Sequence, residues 1–276
     1  MTLKNAKKSS PPSKRSFVVT IDGPGGVGKS TVAKMLAQSL HIMYLDTGAT
    51  YRSLAFAALE KHWVTNLERL TSLAKHLPLY LKPLPGGGLR VLLDGKDITR
   101  DIRTERISEA AAQVSQYPQV REEMVNLQRR LASQHSVVVE GRDTGSVVFP
   151  QAAYKFFLDA NPNIRAKRRQ EELTQLYGTK ASLKLVEEQL QFRDELDRSR
   201  KTGPLIKPAG AVVIDTSRLT ADQVVKRMLR HIESRANGKA EEVPDPLTRR
   251  SKAPRFFPMT FEIHELDREP PVLSCP

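Results

Sequence analysis

The stretch "FVVTIDGPGGVGKST", residues 17–31, decides the fold. Phe17 to Ile21 are β-branched or aromatic and run into a Gly/Pro break, as a short buried strand does. From Thr31 to Leu40, the apolar residues Val32, Met35, Leu36 and Leu40 form a helical stripe. Between the two, Gly23, Gly28, Lys29 and Ser30 fit the spacing G-x-x-x-x-G-K-S. Glycines there let the backbone curl so that its N–H groups point inward at a phosphate, and the helix N-terminus adds partial positive charge. In such a loop Lys29 reaches the β- and γ-phosphates and Ser30 holds Mg2+. A bare Gly-rich turn capping a helix would show the same letters. The strand before it and the helix after it favour the nucleotide-binding reading.

Four more apolar runs read as buried strands: Ile42 to Leu45, Val137 to Val139, Tyr154 to Leu158 and Ala211 to Ile214. Helical stretches separate them, so the expected fold is α/β, a five-stranded parallel sheet with helices on both faces. Ligands of such sheets bind at the carboxyl ends of the strands. Asp22, Asp46, Glu140, Asp159 and Asp215 each end or follow a run and are candidates for chemistry. Residues 64–108 break the pattern and read as an inserted antiparallel excursion, with turns at Gly86-Gly87-Gly88 and Asp94-Gly95. Residues 161–200 are helical and charged; Asn161-Pro162 starts a helix and Gly178 divides the stretch in two.

The 276 residues are 39% hydrophobic and 27% charged, the composition of a soluble globular protein, and no apolar run approaches a membrane span. Residues 1–16 form a basic, acid-free, Ser/Pro-rich arm, expected to be disordered, and 237–276 a Pro-rich tail expected to be largely so. The domain proper is 17–236. The chain's single cysteine, Cys275, allows no internal disulfide, which fits a reducing compartment such as the cytoplasm. The formal net charge of +13 makes nucleic acid a rival partner to small phosphates; the arm supplies 5 of the 13. The arginines gather at strand and helix ends rather than in a stripe with aromatics, which favours small phosphates, and no guanine-specific N-K-x-D motif is present.

Arg193, Asp197 and Arg200 are spaced i, i+4, i+7, as on one helix face, and Arg165, Arg168 and Arg169 share another. A solvated surface has the same pattern. Their place before the last strand is where a mobile flap brings positive charge to a transferring phosphate. "DTGATYR", Asp46 to Arg52, seats a small anion, or caps a helix, or both. In "VVVEGRDTGSVVFP", residues 137–150, Glu140 at a strand end can orient Mg2+ or its waters, Gly141 allows close approach, and Arg142 and Asp143 read as exposed. Those last two are ligand contacts or a plain salt bridge.

Together "TIDGPGGVGKST", "YLDTGATYR", "IRTERISEAAAQVSQYPQVRE", "VVEGRDTGSVVFP", "KFFLDA" and "FRDELDRSR" resemble the bacterial cytidylate kinases, P-loop nucleoside monophosphate kinases that phosphorylate CMP. The resemblance covers about residues 17–236. It implies that the loop Gly23, Pro24, Gly25, Gly26, Val27, Gly28, Lys29, Ser30 and Thr31 binds ATP, with Mg2+ on Ser30 and, through water, on Glu140. It implies that Thr47 and Arg52 lie in the CMP site, that Arg121 and Asp143 meet the cytosine edge, and that Arg142 lies near the phosphate. Arg193 and Asp197 would contact the ribose and Arg200 the phosphate; Arg165 to Arg169 would form the lid over ATP, and 64–108 the monophosphate-binding insert. Lys29, Arg165, Arg169 and Arg200 are then the catalytic candidates. ATP, CMP and dCMP are the expected substrates of a likewise expected monomer, with no membrane or nucleic-acid partner. One departure stands out. Ala112 precedes Gln113-Val114 where the family often has a serine whose hydroxyl touches the base.

Overall fold

The computed structural model describes residues 16–237, apart from 85, 86, 134, 179 and 180. The expected basic arm and C-terminal tail lie outside the described residues, Ser16 and Asn237 excepted, as does Gly86 of the expected turn. Five parallel strands form the main sheet: β1 (Val18–Asp22), β2 (Met43–Asp46), β6 (Val137–Gly141), β7 (Tyr154–Asp159) and β8 (Val212–Asp215). Their order is β2-β6-β1-β7-β8. Each expected strand is present within a residue or two of its expected bounds. The chain leaves β1 for the edge strand β2 and later returns to fill both sides of β1. The carboxyl ends of β1, β2 and β6 therefore open beside one another, where such sheets bind ligands.

Helices cover both faces because β6 is apolar on both sides at Val137, Val138 and Val139. Val138 joins the core made with α1 (Lys29–Leu40) and α8 (Ala221–Ala236), while Val137 and Val139 pack on the other face against Ala132 of α5 (Pro118–Ala132). Such a strand reads as a continuous hydrophobic run, as expected of a parallel sheet buried on both sides.

The excursion between β2 and β6 contains α2 (Thr47–Glu60), α3 (Leu67–Lys75) and an antiparallel sheet of β3 (Leu79–Pro83), β4 (Leu89–Leu93) and β5 (Lys96–Asp97), then α4 (Glu105–Val114). Asp94 and Gly95 both have positive φ, 50° and 75°, as a two-residue hairpin turn requires. A separate core of Leu54, Leu70, Val91, Ile98, Val114 and Met124 holds this part together. Its apolar cluster runs from Ala49 to Leu127 and draws on more of the chain than the 64–108 read from sequence. α6 (Pro162–Tyr177) starts at Asn161, whose side chain accepts from the Asn163 N–H, and stops at left-handed Gly178. α7 (Leu183–Arg198) returns against it through Ala166, Val186 and Leu190.

One buried carboxylate fixes the loop after β6. Asp22, at the end of β1, accepts from the N–H groups of Thr144 and Gly145 (2.8 and 2.7 Å) and from the Thr144 hydroxyl (2.8 Å). These bonds cap a π-helical turn at Thr144–Val148 and hold Asp143 in place. Burial pushes the Asp22 carboxyl up to about 6, opposed by those bonds, so the group costs desolvation yet is held on three sides. We expect Asp22→Ala to lower the unfolding free energy by about 2–3 kcal/mol, the scale of lost hydrogen bonds to a charged acceptor. Urea unfolding at pH 7 checks this. A change below about 0.5 kcal/mol, the scale of an ordinary surface substitution, would mean that the turn is held by something else.

Candidate active site

A cleft of about 360 Å³ opens at the carboxyl ends of β1, β2 and β6, within the size range of small-molecule sites. Gly25, Gly26, Gly28, Lys29, Ser30 and Thr31 line its floor. Gly26 and Gly28 have φ of 75° and 90°, the left-handed backbone a phosphate-cradling loop needs. Gly23, Pro24 and Val27 of the expected loop do not line the cleft. Val27 is core, and the Pro24 carbonyl accepts from Lys29 Nζ at 2.6 Å. Burial, then the Arg142 guanidinium, lowers the Lys29 ammonium to about 7, while Glu140, Asp194 and Asp22 oppose that. A phosphate beside it would restore the charge.

Glu140 ends β6 beside this loop. It accepts from the Tyr44 hydroxyl (2.6 Å) and from the Ser30 side chain. Burial, then the neighbouring Asp46 carboxylate, holds Glu140 above the usual carboxylate range. A hydroxyl and a buried carboxylate side by side are hard oxygen donors, fit for Mg2+. Among the described residues no three His, Cys, Asp or Glu side chains cluster to hold a metal. The donor set therefore suits an ion carried largely by water and phosphate oxygens, the habit of Mg2+. Of the five strand-end acids, Asp46 and Glu140 line the cleft; Asp159 and Asp215 accept from the N–H groups of Ala160 and Ser217 in the turns that follow them.

The other half of the cleft is built by arginines, each answered by a carboxylate. Arg52 donates to Asp46 (2.8 Å), which also caps α2 by accepting from Ala49 N, so both sequence readings of "DTGATYR" are compatible. Arg142 donates to one oxygen of Asp197 (2.8 Å) and Arg200 to the other. Arg52 and Arg200 each keep a buried Nε with no protein partner. Burial, then the nearby Arg121, pushes Arg200 down to about 10. Crowded, partly unpartnered guanidinium groups in a cleft fit an anion. Arg200 lies beyond α7, not on it: the helix ends at Arg198 with Ser199 as its cap, so the i+7 spacing ran past the last turn.

Asp143, read from sequence as exposed, is buried at 6%, and its partner is Arg121, itself 2% exposed. Arg121 does not line the cleft; it stands behind Asp143, with its guanidinium 5.7 Å from the centre of the Tyr51 ring. Thr47, Arg193 and Arg169 line the cleft, and Arg165 does not. Arg165 turns to Asp194 and to the Gly25 carbonyl (3.2 Å), and Arg168 is bound to Thr216. The three arginines expected to share a face thus serve three purposes.

Sequence reading missed Asp194, Tyr51, Ser115 and Glu105. Ser115 lines the cleft one turn after Ala112 and donates its hydroxyl to the Ala112 carbonyl at 2.8 Å. Glu105 of α4 reaches across to Arg169 (3.2 Å) and Arg193 (3.6 Å), joining the inserted part to α6 and α7. Their signal would have been charge complementarity, with Glu105 and Asp194 placed to answer arginines of the lid stretch.

A family model described as cytidylate kinase matches residues 19–234. A cytidylate kinase of Caldanaerobacter subterraneus subsp. tengcongensis is 44% identical over 221 residues, 80% of this chain and 96% of that protein. One from Pelotomaculum thermopropionicum is 42% identical over 217 residues (78% and 96%), and one from Geobacillus kaustophilus 43% over 223 (80% and 99%).

The buried Lys29 yields a pH prediction. Its free-state value of about 7 rises when a phosphate pairs with it, so nucleotide binding is full below pH 7 and weakens as pH rises through it. Between pH 7.5 and 9 the affinity for ADP should fall by up to about tenfold per unit. Calorimetry in buffers of different ionisation enthalpy should register close to one proton taken up at pH 8. A flat profile with no proton uptake would mean that Lys29 is already charged in the free protein.

Proposed function

The chain belongs to the cytidylate kinase family, and we propose from that premise and the cleft's geometry that it transfers the γ-phosphoryl group of ATP to CMP and to dCMP, acting with Mg2+. The observation that carries the reading is the pairing, across one cleft, of a phosphate-cradling loop with the Arg52, Arg142 and Arg200 cluster and the buried Asp143 beside it. Gly25 to Thr31 hold the ATP phosphates, and Lys29 lies over the β- and γ-phosphates. Ser30, and Glu140 through water, would hold the metal, which would supply positive charge against the phosphates. Arg52, Arg142 and Arg200 hold the CMP phosphate; Thr47, Arg193 and Asp197 line the remainder of that subsite.

An oxygen of the CMP phosphate attacks the γ-phosphorus in line. The new O–P bond forms as the bond to the β,γ-bridging oxygen breaks, and ADP leaves with that electron pair. No general base is required, because the attacking oxygen is already anionic. The protein's work is placement and charge stabilisation. Arg169, whose head reaches the cleft from α6, is the lid cation on the moving phosphoryl. Arg165, turned to Asp194 and Gly25, acts through the loop.

Asp143 supplies base selection. Its carboxylate accepts from the cytosine amino group, and Arg121, which stands behind it, holds it in position. Uracil would set its carbonyl oxygen against the carboxylate. The sole cysteine fits the cytoplasm.

Lys29→Ala should leave CMP binding nearly unchanged and cut kcat by about a thousandfold, the scale of lost charge stabilisation at a transition state. Near-normal turnover in the folded variant would sink the mechanism. Asp143→Ala should damage kcat/KM for CMP by about 10–100-fold more than for UMP, the worth of a matched polar pair in base readout. An equal loss for both bases would make Asp143 a structural partner of Arg121 alone.

A further inference from the structure

Asp194 is 1% exposed, sits on α7, and has been met above only as the partner of Arg165 and a charge near Lys29. One carboxylate oxygen accepts from the Gly25 N–H of the phosphate loop at 3.0 Å, and the other pairs with Arg165 of α6. Arg165 closes the triangle by donating to the Gly25 carbonyl at 3.2 Å. Both peptide groups of Gly25 are thereby held from outside the loop, by side chains from two different helices.

The loop is shaped to accept that grip. A Cβ on Gly25 would stand 2.8 Å from the Leu190 side chain of α7, and one on Gly26 would stand 2.8 Å from the Arg165 carbonyl of α6. The two lid helices press on two successive glycines. Asp197, three residues after Asp194 on the same helix, holds Arg142 and Arg200 of the acceptor cluster. Helix positions three apart share a face. One side of α7 thus braces the ATP loop with its first aspartate and the CMP clamp with its second.

We propose that Asp194 is a positioning residue for the phosphate loop: with Arg165 as its partner, it holds the Gly25 backbone in the form that receives the ATP phosphates. This rests on the kinase reading for the identity of the nucleotide. Arg165 in this view is a strut and makes no contact with the transferring phosphoryl. Because Asp194 and Arg165 hold Gly25 as one triangle of bonds, in which each orients the other, removing either should cost about what removing both costs.

The test is a double-mutant cycle read by equilibrium binding and by turnover. Asp194→Asn keeps one oxygen acceptor but sets an amide against either Gly25 N–H or Arg165. Arg165→Gln removes the partner. Each should weaken binding of AMP-PNP, measured without CMP, by about tenfold, and the double variant should lie within about twofold of the weaker single. Affinity for CMP alone should stay within about twofold of the unmutated protein in all three. A double variant with the product of the single losses, a parallel fall in CMP affinity, or unchanged AMP-PNP affinity would each overturn the proposal. So would an Arg165→Gln variant that loses kcat while keeping AMP-PNP affinity, because Arg165 would then touch the moving phosphoryl. Should Asp194→Asn not fold, Asp194→Glu takes its place with the same expectations for both ligands. The AMP-PNP arm needs no CMP turnover. A protein inactive on CMP would fail the kinase reading while leaving the Asp194 result legible.

Discussion

A cleft that passes a phosphoryl group between two polyanions must hold many cations close together while it is empty, and cations repel. Lys29 shows the cost: burial and Arg142 lower its affinity for the proton to about 7, while Glu140, Asp194 and Asp22 pull it back. The site answers this constraint by setting carboxylates among its cations. Asp46 holds Arg52, Asp143 holds Arg121, Asp194 holds Arg165, and Asp197 is shared by Arg142 and Arg200. A buried pair of this kind contributes little net stability, because desolvation offsets the attraction. Its value here is geometric. Each carboxylate fixes the direction of a guanidinium and leaves other N–H groups, such as the Nε of Arg52 and Arg200, without a protein partner. An anion entering the cleft meets donors that are already oriented.

Other polar contacts join parts of the chain that are distant in sequence. Asp22 ties the end of β1 to the turn after β6 and so sets Asp143. Glu105 runs from the inserted part to Arg169 on α6 and Arg193 on α7. The Glu105 contacts are polar and partly exposed, unlike the apolar packing inside each part. Contacts of that kind are the ones that yield when lids and inserted segments move on a ligand.

Much of the fold was legible because its signals are local. The five strands are β-branched runs ended by polar residues, and Gly178 parts α6 from α7 because its φ of 72° suits glycine. The phosphate loop declares itself through the spacing of Gly23, Gly28, Lys29 and Ser30. What stayed hidden depends on partners distant in sequence. Asp143 looked exposed because hydropathy cannot show that Arg121, 22 residues away, accompanies it into the interior. Asp194 looked like an ordinary helical charge, since Gly25 and Arg165, which use it, lie 169 and 29 residues off. Arg200 kept the helical spacing of Arg193 and Asp197 although the helix had ended at Arg198. The core of the inserted part was underread because α2 and α4 contribute alanines, Ala55, Ala58, Ala110 and Ala111 among them, which make a weak apolar stripe.

The central claim is that this cleft joins an ATP loop to a subsite selective for a cytosine monophosphate. The most direct measurement is ADP release from ATP and Mg2+ with CMP, dCMP, UMP, AMP and GMP offered one at a time. The account predicts rapid release with CMP and dCMP, a kcat/KM lower for UMP by about 10–100-fold, the worth of one matched polar pair, and weaker release still with the purines. Equal rates with CMP and AMP, or release that does not depend on any monophosphate, would contradict it.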